Sequence, residues 1–178
     1  MCPQRHKPRS AAPNPAWIFV AEGRTRALVR EEDFAALTGA FFEGRGCVPA
    51  GRGGRGGISR FATARGPAIL RRHRRGGWAR RILRNGFLFH NRPLRELRVH
   101  AFLYERGLAV PEPLGAAWQR WGPAFAGALA TREIPGRSLL DYLAAAPRYP
   151  EDTLRRVGGL IREMHDLGAW HADLQVAN

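Results

Sequence analysis

A chain that alternates short β-type segments with glycine and proline turns can form few folds, and residues 51–71 show this alternation. The glycine-rich run Gly51–Gly57 precedes the segment Ile58–Thr63, and the turn Arg65-Gly66-Pro67 leads into the segment Ala68–Arg71. Glycine tolerates the positive φ angles of tight turns, and proline favours turn positions. The pattern predicts an antiparallel meander in the order strand, glycine turn, strand, short turn, strand.

The residues before this meander predict a hairpin followed by a helix. Trp17–Ala21 and Thr25–Val29 are β-type segments separated by Glu22-Gly23-Arg24. Apolar residues then recur at helical spacing within Glu31–Phe42, and Gly44 would end that helix.

The second half of the chain predicts two strands and three helices. The strands are Ala109–Pro113 and Ala124–Thr131. Capping residues and apolar periodicity predict helices that begin at Asn91, Ser138 and Pro150. The order indicates an α+β fold with a boundary near Pro135. We expect residues 1–15 to be a disordered basic tail, residues 16–134 to form a sheet with an inserted helix, and residues 135–178 to begin a helical unit.

Composition excludes several kinds of chemistry. Of the 29 Lys and Arg residues only Lys7 is a lysine, so Schiff-base and Walker-type sites are excluded from the body of the fold. Cys2 and Cys47 are too few for a disulfide framework, and the remaining histidines, His73 among them, share no ligand spacing and are expected to be structural or solvent-facing. With neither a secretory signal nor an apolar run that could cross a bilayer, we expect a soluble protein of a reducing compartment.

Positive charge is concentrated between Gly44 and Arg98, where 15 arginines accompany a single acidic residue, Glu96. Charge of one sign at this density must meet an anion or repel itself. Nucleic acid, a phosphorylated small molecule and an anionic membrane face all suit it, and a solvated arginine-rich face is the plain alternative. We expect the Glu96 carboxylate to find a cationic partner.

The last residues carry a chemical motif, His171-Ala172-Asp173 followed by Asn178. This spacing is typical of the protein-kinase catalytic loop. Asp173 would orient the acceptor hydroxyl and take its proton, Asn178 would ligate a Mg²⁺ ion that bridges phosphates, and His171 would pack beneath the loop. The alternative is a turn in which Asp and Asn satisfy only backbone amides.

The upstream residues follow the order of a kinase: glycine-rich turn, strand with a cation, helix with a glutamate, hinge. The turn would cradle a triphosphate through the backbone at Gly51, Gly53 and Gly54. Arg71 stands on the third strand where a kinase carries lysine, and Glu96 lies on the following helix. Residues 131–134, which include Glu133, would be the hinge that contacts adenine.

Five segments resemble the bacterial lipopolysaccharide core kinases and, among these, the 3-deoxy-D-manno-octulosonic acid (Kdo) kinases most. They are Ile69–Gly77, Leu94–Leu97, Val110–Pro113, Met164–Asp166 and His171–Leu174. The resemblance covers residues 51–178, and its most specific part is the arginine-rich third strand followed by two glycines.

The resemblance implies a protein-kinase-like fold, with a β-rich N-terminal lobe and the first helices of a C-terminal lobe. It implies ATP-dependent phosphorylation of a Kdo hydroxyl on a lipid A precursor, with ATP and Mg²⁺ as cofactors. Carried over to this sequence, Asp173 is the catalytic base, Asn178 a metal ligand, and Arg71 a contact to the ATP phosphates that pairs with Glu96.

The same resemblance implies a Kdo-lipid A type glycolipid as acceptor, a peripheral position on the anionic cytoplasmic face of the bacterial inner membrane, and no specific nucleic-acid partner. Two departures accompany it. Arg71 offers a planar fork where kinases have a point charge, so its phosphate geometry must differ. The second metal-binding carboxylate of kinases is absent, so we expect a C-terminally truncated kinase with impaired activity.

Two other functions remain open from the residues alone. A small-molecule phosphotransferase of the aminoglycoside or choline kinase type shares the His-x-Asp loop, but the arginine-rich strand would repel its cationic acceptors. A non-catalytic arginine-rich module that binds nucleic acid would interleave aromatic residues with arginines. That reading leaves Glu96 and the terminal loop unexplained.

Overall fold

The computed structural model describes residues 16–50, 57–73, 87–88, 91–121, 124–146 and 150–171. Several residues with predicted roles lie outside these ranges, namely Gly51, Gly53, Gly54, Asp173 and Asn178. The predicted N-terminal tail, residues 1–15, lies outside them as well.

Eight strands and four α-helices form in the described residues. The strands are β1 (Trp17–Glu22), β2 (Thr25–Arg30), β3 (Val48–Pro49), β4 (Ile58–Thr63), β5 (Gly66–His73), β6 (Phe87–Leu88), β7 (Pro113–Trp121) and β8 (Ala124–Arg132). The helices are α1 (Phe34–Thr38), α2 (Arg92–Glu105), α3 (Leu139–Ala145) and α4 (Glu151–Asp166). A 3-10 turn, Glu31–Asp33, precedes α1, and a π-helical turn, Gly39–Glu43, follows it.

The strands make one antiparallel sheet in the order β1-β2-β7-β8-β5-β4-β3, and β6 pairs with the beginning of β8. In sequence, α2 comes between the strands of the meander and the β7–β8 hairpin. The predicted α+β fold is therefore confirmed.

The predicted N-terminal hairpin is also confirmed. β1 and β2 pair from Trp17 with Arg30 to Glu22 with Thr25, and the turn contains Gly23 at a φ of 55°. β2 pairs in turn with β7, so the hairpin adds two strands to the sheet. The helical residues 31–43 that follow lie against one face of that sheet.

The predicted meander is confirmed in β3, β4 and β5, which pair antiparallel in that order. β5 is longer than predicted and extends to His73, because its second half pairs with β8 as far as Gly127. The arginine-rich segment is thus partly a central strand, and its alternate side chains point to opposite faces of the sheet.

Each face of the sheet is covered by one helix. On one face Leu37 of α1 belongs to a buried cluster with Val29 and Leu70. On the other face Leu97 of α2 is buried against Leu129 of β8. Since side chains alternate along a strand, residues 71 and 73 of β5 lie on the α2 face, and residues 70 and 72 lie on the α1 face.

The helix α2 starts as its sequence predicts and comes very close to the sheet. The Asn91 side chain caps it by accepting a hydrogen bond from the Leu94 amide at 3.2 Å. A Cβ atom placed on Gly127 of β8 would lie 2.6 Å from Cγ of Pro93 and 2.2 Å from the Ala117 carbonyl oxygen. Glycine at position 127 is therefore what allows the first turn of α2 to rest on β8.

One predicted strand is wrong. Residues 109–112 are irregular, and the strand begins only at Pro113. Proline lacks a backbone donor and is tolerated in a sheet at the first position of a strand, which accounts for the later start. The strand β7 itself was not predicted, because Gly115, Ala116 and Ala117 have low strand propensity.

The predicted C-terminal helices are confirmed as α3 and α4. Ser138 caps α3 by accepting a hydrogen bond from the Asp141 amide at 3.1 Å. The apolar residues of α4 are only half-buried, and none of its residues is fully buried. No helix in the described part of the chain is long and apolar enough to cross a membrane.

Candidate nucleotide site

The centre of the candidate site is Arg71 on β5. In the sheet it lies opposite Ile58 of β4 on one side and Leu129 of β8 on the other. Its side chain is 54% exposed, and one guanidinium nitrogen, Nη2, lies 3.2 Å from Oε2 of Glu96. The structure therefore brings together the cation and the helix glutamate that the sequence analysis pairs.

The Glu96 carboxylate is shared by the side chains of two arginines and one histidine. Oε2 receives Arg71 and also His73, whose Nε2 is 2.7 Å away. Oε1 accepts from Nε of Arg92, one turn earlier on α2. Because the carboxylate is three-quarters buried, these partners determine its charge state.

Burial raises the pKa of the Glu96 carboxyl, but hydrogen bonds from His73 and Arg92 outweigh it and lower the pKa from 4.5 to about 2. A lowered carboxyl pKa stabilises the fold fully above pH 4.5, and that stability is lost as the pH falls towards 2. We therefore expect Glu96→Gln to reduce the free energy of unfolding at pH 6 by on the order of 2 kcal/mol.

Urea unfolding of wild type and Glu96→Gln at pH 6 and at pH 3 measures this contribution. The difference between the two proteins should shrink at the lower pH. An equal difference at both pH values would show that the Glu96 charge does not stabilise the fold.

The residues that flank the undescribed part of the glycine-rich run lie near Arg71. The Arg72 amide donates to the Gly57 carbonyl at 3.0 Å, so the last glycine of the run lies one strand away from β5. The Ala50 amide, just before the run, donates to the Ile58 carbonyl at 2.9 Å, and Ile58 in turn pairs with Arg71. Residues 51–56 themselves lie outside the described ranges, so their contact with a nucleotide stays a prediction.

The predicted hinge leaves β8 at Arg132. The amide of Glu133 donates to the Pro67 carbonyl at 3.0 Å, and its carboxylate lies 2.6 Å from Nε of Arg60 on β4. Both the N–H and the side chain of Glu133 are thus engaged within the sheet, and the contact of Glu133 with adenine stays a prediction. Ile134, which follows, is 59% exposed.

A cluster of buried ion pairs holds the start of this hinge, and sequence reasoning missed it. Asp33, fully buried, lies 2.6 Å from Nη2 of Arg132 and 3.0 Å from Nη2 of Arg65. Glu112 joins the same two arginines at 3.1 and 2.8 Å. The cluster ties together residues 31–43, the β4–β5 turn, the residues before β7 and the end of β8.

These partners determine the protonation state of Asp33. Burial raises the pKa of its carboxyl, but the hydrogen bonds from Arg65 and Arg132 prevail and lower the pKa. Asp33 is therefore a buried anion that depends on both arginines for its charge.

The described residues end just before the predicted catalytic loop. His171 is exposed, Asp173 and Asn178 lie beyond the described ranges, and the roles given to all three stay predictions. Within the described ranges no group of three or more His, Cys, Asp or Glu residues could hold a metal ion.

Several arginines of the basic segment are already matched by acidic side chains. Arg60 pairs with Glu133, Arg65 with Asp33, and Arg71 with Glu96. Two of these three acidic partners come from outside residues 44–98, so sequence counting overstates the free positive charge. This weakens the alternative of a nucleic-acid-binding module.

Comparison with known proteins finds several relatives that carry the same name. Curated proteins named 3-deoxy-D-manno-octulosonic acid kinase match from Xanthomonas campestris pv. campestris (37% identical, 73% of this chain, 53% of the relative) and Stenotrophomonas maltophilia (36%, with the same shares). One from Xylella fastidiosa is 29% identical over 84% of this chain and 61% of its own length. The chain thus spans about half the length of these relatives, and a search of solved structures finds no match.

The model of one protein family, described as "Lipopolysaccharide kinase (Kdo/WaaP) family", matches residues 46–178. The matched region begins just before β3 and contains Arg71, Glu96 and the terminal loop, whereas β1, β2 and α1 precede it. The predicted protein-kinase-like fold is confirmed by this match together with the α+β architecture. The chain belongs to the Kdo/WaaP family of lipopolysaccharide kinases.

Proposed function

We propose that this protein transfers the γ-phosphoryl group of ATP to a hydroxyl of a Kdo sugar on a precursor of the lipopolysaccharide inner core. Family membership supports a lipopolysaccharide kinase, and the names of the relatives support Kdo as the acceptor sugar. The observation that carries the proposal is the contact between Arg71 and Glu96 beside Gly57, the last residue of the glycine-rich run.

In this proposal Arg71 binds the phosphates of ATP. Its side chain is half exposed, so its guanidinium can reach a ligand without being drawn out of the protein core. A guanidinium presents two parallel N–H groups to an anion, so it can bind two phosphate oxygens at once. Glu96 orients that fork from the α2 side, and the backbone of the hinge after Arg132 contacts the base.

In this proposal the terminal loop binds and deprotonates the acceptor hydroxyl. Asp173 would hold the hydroxyl in line with the γ-phosphorus and accept its proton as the new bond forms. His171 would support the loop backbone. Mg²⁺ neutralises phosphate charge when it is bound, and Asn178 is the residue proposed to hold it.

The acceptor class leads to a proposal for location. A Kdo-bearing lipid A precursor is an anionic glycolipid, and this chain carries a net charge of +14. Basic surfaces are attracted to anionic lipid headgroups over about a Debye length. We propose a peripheral position on the cytoplasmic face of the bacterial inner membrane.

Binding of ATP to Arg71→Ala tests the nucleotide site. We expect the dissociation constant to rise at least about tenfold, because a charge-assisted bond to phosphate contributes roughly 1.5–3 kcal/mol. Isothermal titration with ATP measures it. The matched control is Arg155→Ala on α4, an arginine whose side chain is 72% exposed and pairs only locally with Glu151.

An unchanged ATP affinity in Arg71→Ala would show that Arg71 of β5 does not bind the nucleotide. Steep, salt-dependent binding of random DNA that both variants weaken equally would instead favour a nucleic-acid-binding protein.

A further inference from the structure

His73 and Arg71 contact the same oxygen of Glu96 from very different surroundings. Nε2 of His73 lies 2.7 Å from Oε2 and Nη2 of Arg71 lies 3.2 Å from it. The His73 side chain is 3% exposed, whereas that of Arg71 is 54% exposed. The shorter contact is thus the one that water cannot reach, and it gains most from the low dielectric of the interior.

The burial of His73 is built into the sheet. His73 pairs in register with Gly127 of β8, on the same face as α2. Gly127 is the position where a Cβ atom would meet Pro93 at 2.6 Å, so the first turn of α2 lies directly against the neighbouring strand. A larger residue at 127 would lift α2 away and open the His73–Glu96 contact to solvent.

The three partners of Glu96 do not have equivalent roles. Arg92 belongs to α2 itself, so its ion pair with Glu96 does not connect the helix to the sheet. Arg71 and His73 both belong to β5 and therefore link α2 to the sheet. If His73 were absent, the guanidinium that must bind phosphate would also be the one that anchors α2.

We propose that His73 is a positioning residue that holds Glu96, and with it α2, against β5, so that Glu96 stays beside Arg71 while the guanidinium binds the phosphates of the nucleotide. The anchoring step depends only on the contacts described above. The orientation of Arg71 towards the phosphates rests on the proposed function, because it requires that ATP binds at this site.

Two substitutions separate the anchor from a space-filling role. His73→Leu keeps the volume but removes the donor, which leaves the buried Glu96 carboxylate with a missing bond. We expect the unfolding equilibrium constant to rise about ten- to a hundredfold without nucleotide. We also expect ATP binding to weaken by about tenfold at a temperature where the protein is folded, because Glu96 is then no longer held where it orients Arg71.

His73→Gln keeps a donor at a similar reach and should restore both quantities to within about threefold of wild type. A purely steric role would not distinguish the two variants in ATP affinity. If His73→Leu does not fold, the glutamine variant decides the question. ATP affinity close to wild type supports the proposal, and a loss as large as that in Arg71→Ala overturns it.

Arg71→Ala provides the comparison without nucleotide. Its partly exposed ion pair contributes little, so its unfolding constant should change less than about fivefold while its dissociation constant for ATP rises at least about tenfold. The anchor is overturned if Arg71→Ala destabilises the nucleotide-free protein as much as His73→Leu does. A wild type that binds no ATP would overturn the proposed function and the orientation of Arg71 towards the phosphates, whereas the nucleotide-free comparison alone still decides whether His73 is the anchor.

Discussion

Asp33→Ala is expected to reduce the free energy of unfolding by roughly 3–5 kcal/mol, because it removes the fully buried anion that pairs with Arg132 and Arg65. The Asp33 carboxylate is fully buried, and its nearer partner, Arg132, is 15% exposed. Arg132 keeps Glu112 at 3.1 Å, but Glu112 is also shared with Arg65 and cannot replace the Asp33 Oδ2 atom that contacts both arginines. Urea denaturation at pH 7 measures the loss from the shift of the midpoint at constant slope.

Glu32→Ala is the matched control for this prediction. Glu32 lies in the same 3-10 turn, its carboxylate is 3.5 Å from Arg65, and its side chain is 45% exposed. An exposed ion pair of this kind contributes at most about 1 kcal/mol. Losses of equal size in the two variants would mean that burial of the Asp33 charge is not what stabilises the cluster.

This prediction also assigns a role to the residues that precede the family match. Asp33 comes from the segment before residue 46, yet it binds the arginine from which the hinge departs. The hairpin β1–β2 pairs with β7 and continues the sheet. In this protein the N-terminal segment is therefore part of the folded lobe, and its loss should disturb the hinge as well as the hydrophobic core.

Local signals in the sequence predicted the elements that have strong periodicity or caps. The Asn91 cap, the Ser138 cap and the glycine turns each act over three or four residues, so they can be read directly from the chain. The β7 strand was missed because its small residues favour no particular structure, and its place is fixed by pairing with β2 and β8.

In the candidate site, too, only contacts that a sequence motif relates could be predicted. The pairing of Arg71 with Glu96 could be predicted because a motif of known order relates the two positions. The ion pair between Asp33 and Arg132 could not, because the residues are 99 positions apart and meet only through the order of the strands. His73 was expected to be structural or solvent-facing, and the strand register that points it at Glu96 has no local signal.

The second large effect is expected at Asp173. Asp173→Asn removes the carboxylate that is proposed to orient the acceptor hydroxyl and accept its proton, and keeps the size of the side chain. The rate of phosphate transfer should fall by about 100- to 10,000-fold, the usual contribution of a general base. ATP affinity should change little, because the proposed phosphate contacts are Arg71 and the glycine-rich run.

Asp166→Asn is the control for the catalytic substitution. Asp166 ends α4, is 63% exposed and pairs only with Arg162 on the same helix. Because Asp166 precedes the loop by a few residues, its substitution tests whether any loss of charge near the end of α4 lowers the rate of phosphate transfer. The rate of phosphate transfer by Asp166→Asn should stay within about threefold of that of the wild type.

Transfer of labelled phosphate from ATP to a Kdo-bearing lipid A precursor tests the central claim most directly. The wild-type protein, expressed from the full reading frame that contains this chain, should label the glycolipid together with Asp166→Asn, while Asp173→Asn should not do so at a comparable rate. Equal labelling by Asp173→Asn, or wild-type protein that binds ATP and leaves the Kdo glycolipid unlabelled, would contradict the account.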